Sequence, residues 1–412
     1  MARVEPFKGV RPKKELAERV ASPPYDVLNS EEARELASGN EFSFLHIVKP
    51  EIDLPTGTDL YSDPVYDKAK ENFSRFMDEG TLVQDSEKYF YVYRQEWKGH
   101  VQTGLVAGAS ARDYIEDKIK KHELTREDKE KDRMRHIRTL NANTGPVFLT
   151  FKDTQGITGM MEECMKQEPE YDFITDDGVH HILYVVKDVA MIDAIRNGFA
   201  KIDHLYVADG HHRSASGTNI KIEREKANPD HTGDEEYNFF LSVIFPHNQM
   251  KILPYNRVLK DMNGMCKAEL FLKLSEKFTY EETDVKEPRN NKEFCMYIDG
   301  KWYLLKAIPD SYDASHPVES LDAAILQNNA LDHVWGITNP RKDKRVDFVG
   351  GIRGTAELEK LVDSKKFKVA FSLYPTSIEE LFDVADSGNI MPPKCTWFEP
   401  KLRSGLVTHL LD

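Results

Sequence analysis

The sequence predicts a protein of the α/β class, in the α+β sense, with mixed sheets and flanking helices. Apolar strand-like segments alternate with a helical segment in mid-chain, and 412 residues are too many for one simple core. The alternating segments are residues 181–186, 188–199, 204–208 and 239–245, of which the second is helical. We expect three regions, comprising residues 1–150, 151–262 and 263–412.

Charge and composition narrow the classes of partner. The net charge of −14 argues against general binding to nucleic acid or anionic membranes, because both require positive potential. The cysteines are scattered without Cys-x-x-Cys spacing, which is typical of a reduced, cytoplasmic protein. No apolar run approaches membrane-spanning length, and no secretory signal is recognisable. We therefore expect no nucleic-acid partner and no membrane partner.

An extended loop is predicted near the N-terminus. Two adjacent prolines hold residues 22–27 extended, because proline fits neither a helix interior nor a central strand. The loop displays Ser22, Tyr25 and Asp26, either as a substrate-binding wall of a site or as a rigid surface crossing. Composition alone leaves both interpretations open.

Three further elements are predicted in the first region. Asn29 caps a short helix, with Glu32 at the capping-box position. Residues 64–79 place apolar side chains on one stripe, which is typical of an amphipathic helix. Two strands on either side of Lys98-Gly99 form a hairpin.

The segment from residue 112 to residue 138 is the most charged in the chain. Mixed-sign charge at helical spacing usually marks a solvated helix face. The alternative is an anion site, in which Thr125 caps a new helix. The side chains that would converge on an anion beside that cap include His122, Arg126 and Arg133.

The residues around position 209 favour a phosphate site. Four apolar residues predict a buried strand, Asp209 and Gly210 turn the chain, and a helix-compatible run follows. The first N–H groups of a helix lack internal partners, and the helix dipole makes that end electropositive. Gly210 permits close approach, Arg213 adds a permanent charge, and Asp209 would serve as a base or Mg²⁺ ligand. Alternatively, Asp209 merely caps the helix and the histidines are polar surface.

The last region is predicted to combine short elements with a proline-rich tail. The expected elements are a hairpin across Asp299-Gly300, helices at residues 321–335 and from Thr376, and strands at residues 345–349 and 367–374. The tail contains two adjacent prolines and Lys394, and it continues to Lys401. Its prolines and aromatic residues favour packing back onto the body.

Four motifs follow one another along the chain. They are Pro6-Phe7-Lys8-Gly9-Val10-Arg11-Pro12, Ser22-Pro23-Pro24-Tyr25-Asp26-Val27, Ala208-Asp209-Gly210-His211-His212-Arg213, and Met391-Pro392-Pro393-Lys394 through Gly405-Leu406-Val407. Together they resemble the bacterial and archaeal domain-of-unknown-function family numbered 1015, nearly from end to end. Cys395 departs from the serine that this family leads us to expect, and Ser214 departs from a more usual aromatic residue.

The Asp-Gly-His-His-Arg sequence further resembles the phosphate-binding turn of the ParB/sulfiredoxin-like superfamily. That superfamily includes nucleotide-hydrolysing partition proteins, ATP-using sulfiredoxins and free-serine kinases. The resemblance implies that Asp209 accepts a substrate hydroxyl proton, as an acid in the equivalent kinase turn does. It implies no sulfiredoxin chemistry, because the turn holds no cysteine. Association of family 1015 with serine biosynthesis implies serine or phosphoserine as the substrate.

These observations predict a phosphoryl-transfer enzyme, a nucleotide-dependent kinase of serine or a similar small hydroxylated metabolite. It would use ATP or ADP with Mg²⁺, and its ligand would be a small phosphorylated molecule. Catalytic roles fall to Asp209, His211 and His212, while Gly210 and both histidines also supply backbone donors to phosphate. Two alternatives stay open: a phosphoserine phosphatase using a histidine as acid or phosphate acceptor, and a non-catalytic nucleotide or metabolite sensor.

The prediction that links these segments is geometric. A phosphate buried near Asp209 needs more than one cation, because one arginine cannot offset both a multivalent anion and a carboxylate. The loop, the charged segment and the tail should therefore converge on this turn, and a homodimer stays an open option. The groups expected within a side chain's reach of Arg213 are Lys394 and at least one of His122, Arg126 and Arg133, with Tyr25 or Asp26 on the rim.

Overall fold

The structure is a computed structural model that describes residues 1–412, and it has the predicted mixed α/β architecture. Helices cover its sheets and also form a separate group near the N-terminus. The helices are α1 (Ala17–Val20), α2 (Ser30–Ala37), α3 (Leu45–Val48), α4 (Asp63–Asp78), α5 (Ala111–Ile115), α6 (Glu127–Leu140), α7 (Ile157–Cys164), α8 (Val189–Phe199), α9 (His211–Ala227), α10 (Lys267–Leu274), α11 (Asp322–Leu326), α12 (Gly354–Asp363) and α13 (Ile378–Asp386).

The strands are mostly short and lie between these helices. They are β1 (Val4–Glu5), β2 (Val10–Pro12), β3 (Leu82–Gln84), β4 (Phe90–Trp97), β5 (His100–Ser110), β6 (Ile119–Lys120), β7 (Ala142–Asn143), β8 (Val147–Phe151), β9 (Tyr171–Ile174), β10 (His180–Val186), β11 (Leu205–Asp209), β12 (Phe239–Pro246), β13 (Lys251–Leu253), β14 (Tyr255–Leu259), β15 (Phe278–Thr283), β16 (Glu293–Ile298), β17 (Lys301–Ala307), β18 (Val346–Gly350), β19 (Val369–Leu373), β20 (Trp397–Glu399) and β21 (His409–Leu410).

The chain folds into two compact units. The first comprises Met1–Met250 together with Pro400–Asp412, and the second comprises Lys251–Glu399. Residue 150, the predicted end of the first region, lies inside β8, a central strand of the first unit's largest sheet. Residues on both sides of that position therefore build one sheet, and the contacts divide the chain differently from the three predicted regions.

A nine-stranded mixed sheet forms the centre of the first unit. Its order is β6-β11-β8-β12-β5-β4-β10-β9, with β1 paired to β5. β11 runs parallel to β6 and β12 parallel to β8, whereas β8 and β11 are antiparallel. The elements predicted for the middle of the chain are confirmed as β10, α8, β11 and β12. β12 is buried along its whole length, as expected for a strand covered on both faces.

The predicted hairpin is confirmed between β4 and β5, which are neighbouring interior strands of this sheet. Trp97 pairs with His100, which leaves a two-residue turn. Lys98 and Gly99 both have positive φ angles, 50° and 78°, and this backbone matches the twist of the flanking strands.

The N-terminal helices pack around a second apolar cluster, which contains Phe73 and Phe76 of α4. α4 thereby confirms the predicted amphipathic helix. Asn29 caps α2, since its side chain accepts the N–H groups of Glu31 and Glu32. The Glu32 carboxylate accepts the N–H of Asn29 in return, so the predicted capping box is confirmed.

The charged segment forms α5, β6 and α6 rather than one helix. α6 follows Arg126 as its N-cap, so the prediction of Thr125 as the cap is wrong by one residue. The Thr125 hydroxyl instead donates to the Glu130 carboxylate. One face of α6 is buried through His136 and Leu140, and Asp132 and Arg133 are also largely covered. The solvated face expected from the charge pattern is limited to Glu127, Asp128, Lys131 and Arg138.

The second unit is built on an antiparallel sheet of order β15-β17-β16-β19-β14-β18. Its hairpin turns at Asp299 and Gly300, which confirms that prediction. The predicted helix at residues 321–335 is α11 followed by a π-helical turn, Gln327–Asp332. α13 begins after Ser377, which forms the capping box with Glu380, so the predicted start at Thr376 is one residue early.

The chain returns to the first unit at Pro400. Ser404 and Ser22 exchange backbone hydrogen bonds of 3.0 and 2.9 Å, and β21 pairs with β7. The predicted tail, residues 391–401, also packs onto the protein as expected, since Met391 and Phe398 are buried and β20 pairs with β13. None of the helices combines the length and apolar character needed to cross a membrane.

Candidate functional site

The predicted strand–turn–helix unit lies at residues 205–227. β11 shifts register against β8 between Val207 and Asp209, so its end is irregular just before the turn. Gly210 follows with a φ of 94°, in the left-handed region that favours glycine. α9 then begins at His211 and continues for 17 residues.

The start of α9 has no side-chain cap. The Oδ1 atom of Asp209 accepts the N–H of its neighbour Gly210 at 2.8 Å, and Gly210 is the residue at the capping position. The interpretation of Asp209 as a helix cap is therefore wrong, because Gly210 occupies the capping position and has no side chain. Helix starts of this type leave backbone donors for solvent or a ligand.

Lys401 lies beside the turn and pairs with Asp209. Its Nζ atom donates to Oδ2 of Asp209 at 2.8 Å. Gln95 fixes the backbone at this point by donating to the Lys401 carbonyl at 3.0 Å. The Asp209 side chain is 37% exposed, so the ion pair borders solvent and is accessible to a ligand.

Arg213, on the first turn of α9, is largely buried, and both of its terminal nitrogens donate hydrogen bonds within the chain. Its Nη2 atom donates to both carboxylate oxygens of Asp26, at 2.7 and 2.9 Å, and Nη1 donates to the Pro146 carbonyl at 2.8 Å. The Nε atom is buried without a hydrogen-bond partner. Burial opposes the charged form of Arg213, but the Asp26 carboxylate outweighs it and the pKa is raised.

A narrow cleft opens next to Arg213, with about 430 Å³ of empty space that includes its mouth. Arg133 and Arg213 both contribute to its wall, and each is paired with a carboxylate that is not among the lining residues. The lining residues are Tyr25, Val48, Arg133, His136, Ile137, Asn143, Thr144, Gly145, Val147, Arg213 and Ser404. A cleft with two cations and several polar groups is suited to a small anionic ligand.

Tyr25 connects the two arginines. Its ring lies 4.1 Å from the Arg133 guanidinium and 5.3 Å from that of Arg213. Arg133 also pairs with Asp132 at 2.8 Å. Arg133, Tyr25 and Asp26 are thus brought to Arg213, which is the convergence predicted for the loop and the charged segment.

The histidines occupy two different environments. His122 and His211 are buried against each other, with perpendicular rings whose centroids are 4.4 Å apart. Burial lowers the pKa of His211 to about 4 and lowers that of His122 well below its ordinary value. Both imidazoles are therefore neutral at pH 7. The His212 side chain accepts the backbone N–H of Arg126 at 3.0 Å, which joins the starts of α6 and α9.

Several predicted site residues lie elsewhere. The Arg126 side chain is 63% exposed and pairs with Asp128 at 2.7 Å, so it does not line the cleft. Ser22 is 2% exposed and its hydroxyl donates to the Val20 carbonyl, so it is a structural residue and not part of the rim. Lys394 belongs to the second unit, where its ammonium lies 5.4 Å from a tyrosine ring, and its approach to Arg213 stays a prediction.

The cleft includes residues that the sequence did not single out as site residues. Asn143, Thr144 and Gly145 precede β8, and none of them was predicted as a site residue. A side chain at position 145 would contact Arg213 at 3.7 Å, so glycine leaves room there. Ser404 reaches the cleft from the C-terminal segment, for which no local sequence pattern exists.

The donor set at the turn can be compared with what Mg²⁺ requires. Mg²⁺ in nucleotide sites is held by one or two carboxylates together with phosphate oxygens. Asp209 supplies one carboxylate, but its Oδ2 atom already faces Lys401. The described residues contain no group of three or more metal-binding side chains. Mg²⁺ at Asp209 would therefore share this carboxylate with Lys401 and take its other ligands from phosphate oxygens and water.

The chain belongs to a protein family described as "Protein of unknown function (DUF1015)", which matches residues 4–324. This confirms the family resemblance; the first three motifs lie within the matched residues, and the fourth, at residues 391–407, lies beyond them. No curated protein matches the sequence.

Several solved structures resemble the fold at low identity. A free serine kinase mutant in complex with ADP is 14% identical, covers 68% of this chain and 84% of its own, and gives a TM-score of 0.34. A conserved hypothetical protein from Pyrococcus furiosus is 14% identical, covers 71% and 93%, and gives 0.35. SbnI with a C-terminal truncation, from Staphylococcus aureus, is 12% identical, covers 71% and 82%, and gives 0.37. At TM-scores this low, the similarity carries no functional argument.

Proposed function

We propose that the protein is a phosphoryl-transfer enzyme that moves a phosphoryl group between a nucleotide and a small hydroxylated metabolite, with serine as the first candidate. The observation that carries the proposal is the uncapped start of α9, which follows the Asp209–Lys401 ion pair and bears Arg213. These groups offer a phosphate both backbone donors and positive charge beside a carboxylate. Phosphoryl transfer depends on positioning and charge neutralisation of this type.

The phosphate would bind at the first turn of α9. The helix dipole and the backbone N–H of His211 favour an anion there, since the N–H of Gly210 already donates to Asp209. Because the His211 side chain is neutral and buried, its contribution is limited to the backbone. Lys401 and Arg213 supply the permanent charges that a multivalent phosphate requires.

Asp209 would act as the general base. The substrate hydroxyl transfers its proton to the Asp209 carboxylate while its oxygen bonds to phosphorus, and the bond to the departing nucleotide oxygen breaks. Lys401 lies next to this carboxylate and is placed to neutralise charge that develops on the transferred group. Mg²⁺ supplies further neutralisation of the nucleotide phosphates when bound.

The test is a turnover assay with L-serine, MgCl₂ and either ATP or ADP, following the loss of nucleotide and the appearance of phosphoserine. We expect phosphoserine to form with one of the two nucleotides. Absence of turnover with serine and with other hydroxylated amino acids contradicts the proposal. Phosphate release from phosphoserine without nucleotide identifies a phosphatase, and tight nucleotide binding without turnover identifies a sensor.

A further inference from the structure

The anion-binding edge of Arg213 is occupied by a carboxylate of the same chain. Asp26 lies 2.7 and 2.9 Å from Nη2, at the distances of charge-assisted hydrogen bonds. Nη1 is fixed by the Pro146 carbonyl, and Nε has no partner although Arg213 lines the cleft. An external anion could therefore bind through Nε and Nη2 only if Asp26 moves away.

Asp26 lies on a segment that is anchored at both ends. Ser22 is fixed by its two backbone hydrogen bonds to Ser404, and Asn29 is fixed by the capping box of α2. Residues 23–28 between these anchors form neither helix nor strand. The Asp26 side chain is 39% exposed, whereas that of Arg213 is 11% exposed. Tyr25 and Leu28 pack against the N-terminal apolar cluster, so Asp26 is the exposed residue of the segment. Its carboxylate is therefore the group that can leave while the ends of the segment and the arginine stay in place.

The same segment also covers the second cation of the cleft. The Tyr25 ring packs on the Arg133 guanidinium at 4.1 Å. If the backbone of residues 25 and 26 moves when Asp26 withdraws, the Tyr25 ring leaves the Arg133 guanidinium and the apolar cluster against which it also packs. Both arginines would then face the cleft together, and the positive charge available to a ligand would increase.

We propose that Asp26 is an internal ligand that fills the anion site on Arg213 and is replaced when an external anion binds, so that residues 23–28 open the cleft. The proposal rests on the proposed function, because it concerns the same site. The ligand is expected to be an anion whose two oxygens can accept hydrogen bonds from Nε and Nη2 of Arg213 at the same time. Two sources have this chemistry, the phosphate of a nucleotide and the carboxylate of an amino-acid acceptor.

The test is calorimetry on the full chain with inorganic phosphate, ADP, L-serine and serinamide as separate probes. Asp26→Asn removes the competing charge and keeps the side-chain shape. We expect it to bind the correct anion about fivefold to tenfold more tightly than the wild type, because the occluded state is lost. Tighter phosphate and ADP binding identifies the nucleotide, whereas tighter binding of serine, but not of serinamide, identifies the acceptor.

Glu223→Gln is the matched control. It removes one negative charge from α9, the helix that carries Arg213, at an exposed position where Glu223 pairs with Arg138. We expect it to leave every affinity unchanged, which excludes a general electrostatic effect. Amide hydrogen exchange of residues 25–28 in the wild type gives a second reading, and we expect it to accelerate when the anion is added.

The outcomes separate this proposal from the proposed function. Equal or weaker binding of every probe by Asp26→Asn, with wild-type binding intact, overturns the internal ligand and leaves phosphoryl transfer standing. Tighter binding without any turnover supports the internal ligand and contradicts the kinase. Absence of binding in both proteins overturns both.

Discussion

The N-termini of α2 and α9 differ in whether the chain itself caps their first backbone N–H groups. α2 supplies its own acceptors, since Asn29 and Glu32 form a capping box and two glutamates lie in its first turn. α9 has a glycine at the capping position, no side-chain cap and no acidic residue in its first turn. Lys401 and Arg213 lie near that start instead.

This difference distinguishes a helix start that stabilises the fold from one that is available to a ligand. The donors of α2 are satisfied by its own sequence, and the box stabilises the fold. The start of α9 gains no such stabilisation from its own side chains, and the two cations near it are held by the carboxylates of Asp209 and Asp26. We infer that the acceptor missing from the sequence of α9 is the anionic ligand.

The largest effect is expected from Asp209→Asn, which removes the base but keeps the side-chain shape. We expect kcat for phosphoryl transfer to fall by roughly 10² to 10⁴-fold, the usual contribution of a general base. The control is Asp188→Asn at the start of α8, where asparagine also caps. Normal activity of the Asp209 variant would show that Asp209 is not the general base.

Arg213→Ala comes next. We expect it to weaken binding of a phosphate ligand by roughly 1.5–3 kcal/mol, the range for a charge-assisted hydrogen bond. The fold should persist, because the lost contacts are one ion pair and one carbonyl bond. Calorimetry with ADP and thermal denaturation measure the two effects separately. Unchanged ADP affinity would assign Arg213 a structural role like that of the α2 cap.

The third prediction concerns pH and the first residue of α9. His211 has a folded pKa of about 4, below the unfolded value near 6.5, so the unfolded chain binds more protons between these values. The contribution of His211 to the free energy of unfolding is therefore fully present above pH 6.5 and is lost as the pH falls toward 4. Each such histidine contributes a slope of about 1.4 kcal/mol per pH unit.

Urea denaturation at pH 7, 6 and 5 checks this slope, with His211→Gln as the variant that cannot titrate. We expect the variant to lose stability less steeply than the wild type. His136, whose pKa burial also lowers to about 4, stays in both proteins and keeps part of the slope. Parallel pH profiles would contradict a buried neutral His211.

The smallest effect is expected from Asn29→Ala at α2. Loss of the cap should lower the free energy of unfolding by about 1 kcal/mol. Ligand affinity should change less than in Arg213→Ala, because Asn29 does not line the cleft and acts on it only as an anchor of residues 23–28. Urea denaturation and ADP calorimetry on this variant complete the comparison. A larger loss in binding than in stability would mean that α2 takes part in the site.

Local patterns predicted the parts of the site but not their pairings. The α2 capping box, the turn at Gly210 and the extended loop before Asp26 each follow from residues within one short stretch. The Asp26–Arg213 bond spans 187 positions and the Lys401–Asp209 bond spans 192. No periodicity or capping rule connects residues so far apart, so only the charge argument indicated that cations gather at the turn.

The errors in the sequence prediction have equally local causes. The predicted helix starts at Thr125 and Thr376 are each one residue early, because a second residue able to occupy the cap follows directly. Asp209 was open to interpretation as a cap because its residue type suits one. The left-handed backbone of Gly210 puts the helix start one residue later and leaves Asp209 outside it.

The most direct test of the account is to follow backbone amide chemical shifts by NMR while ADP is added. We predict large changes for the amides of Gly210, His211 and His212 and none for those of Glu31 and Glu32. That result would show the anion binding to the uncapped start of α9 and not to the capped start of α2. Saturating binding with unchanged shifts at residues 210–212 would contradict the central claim.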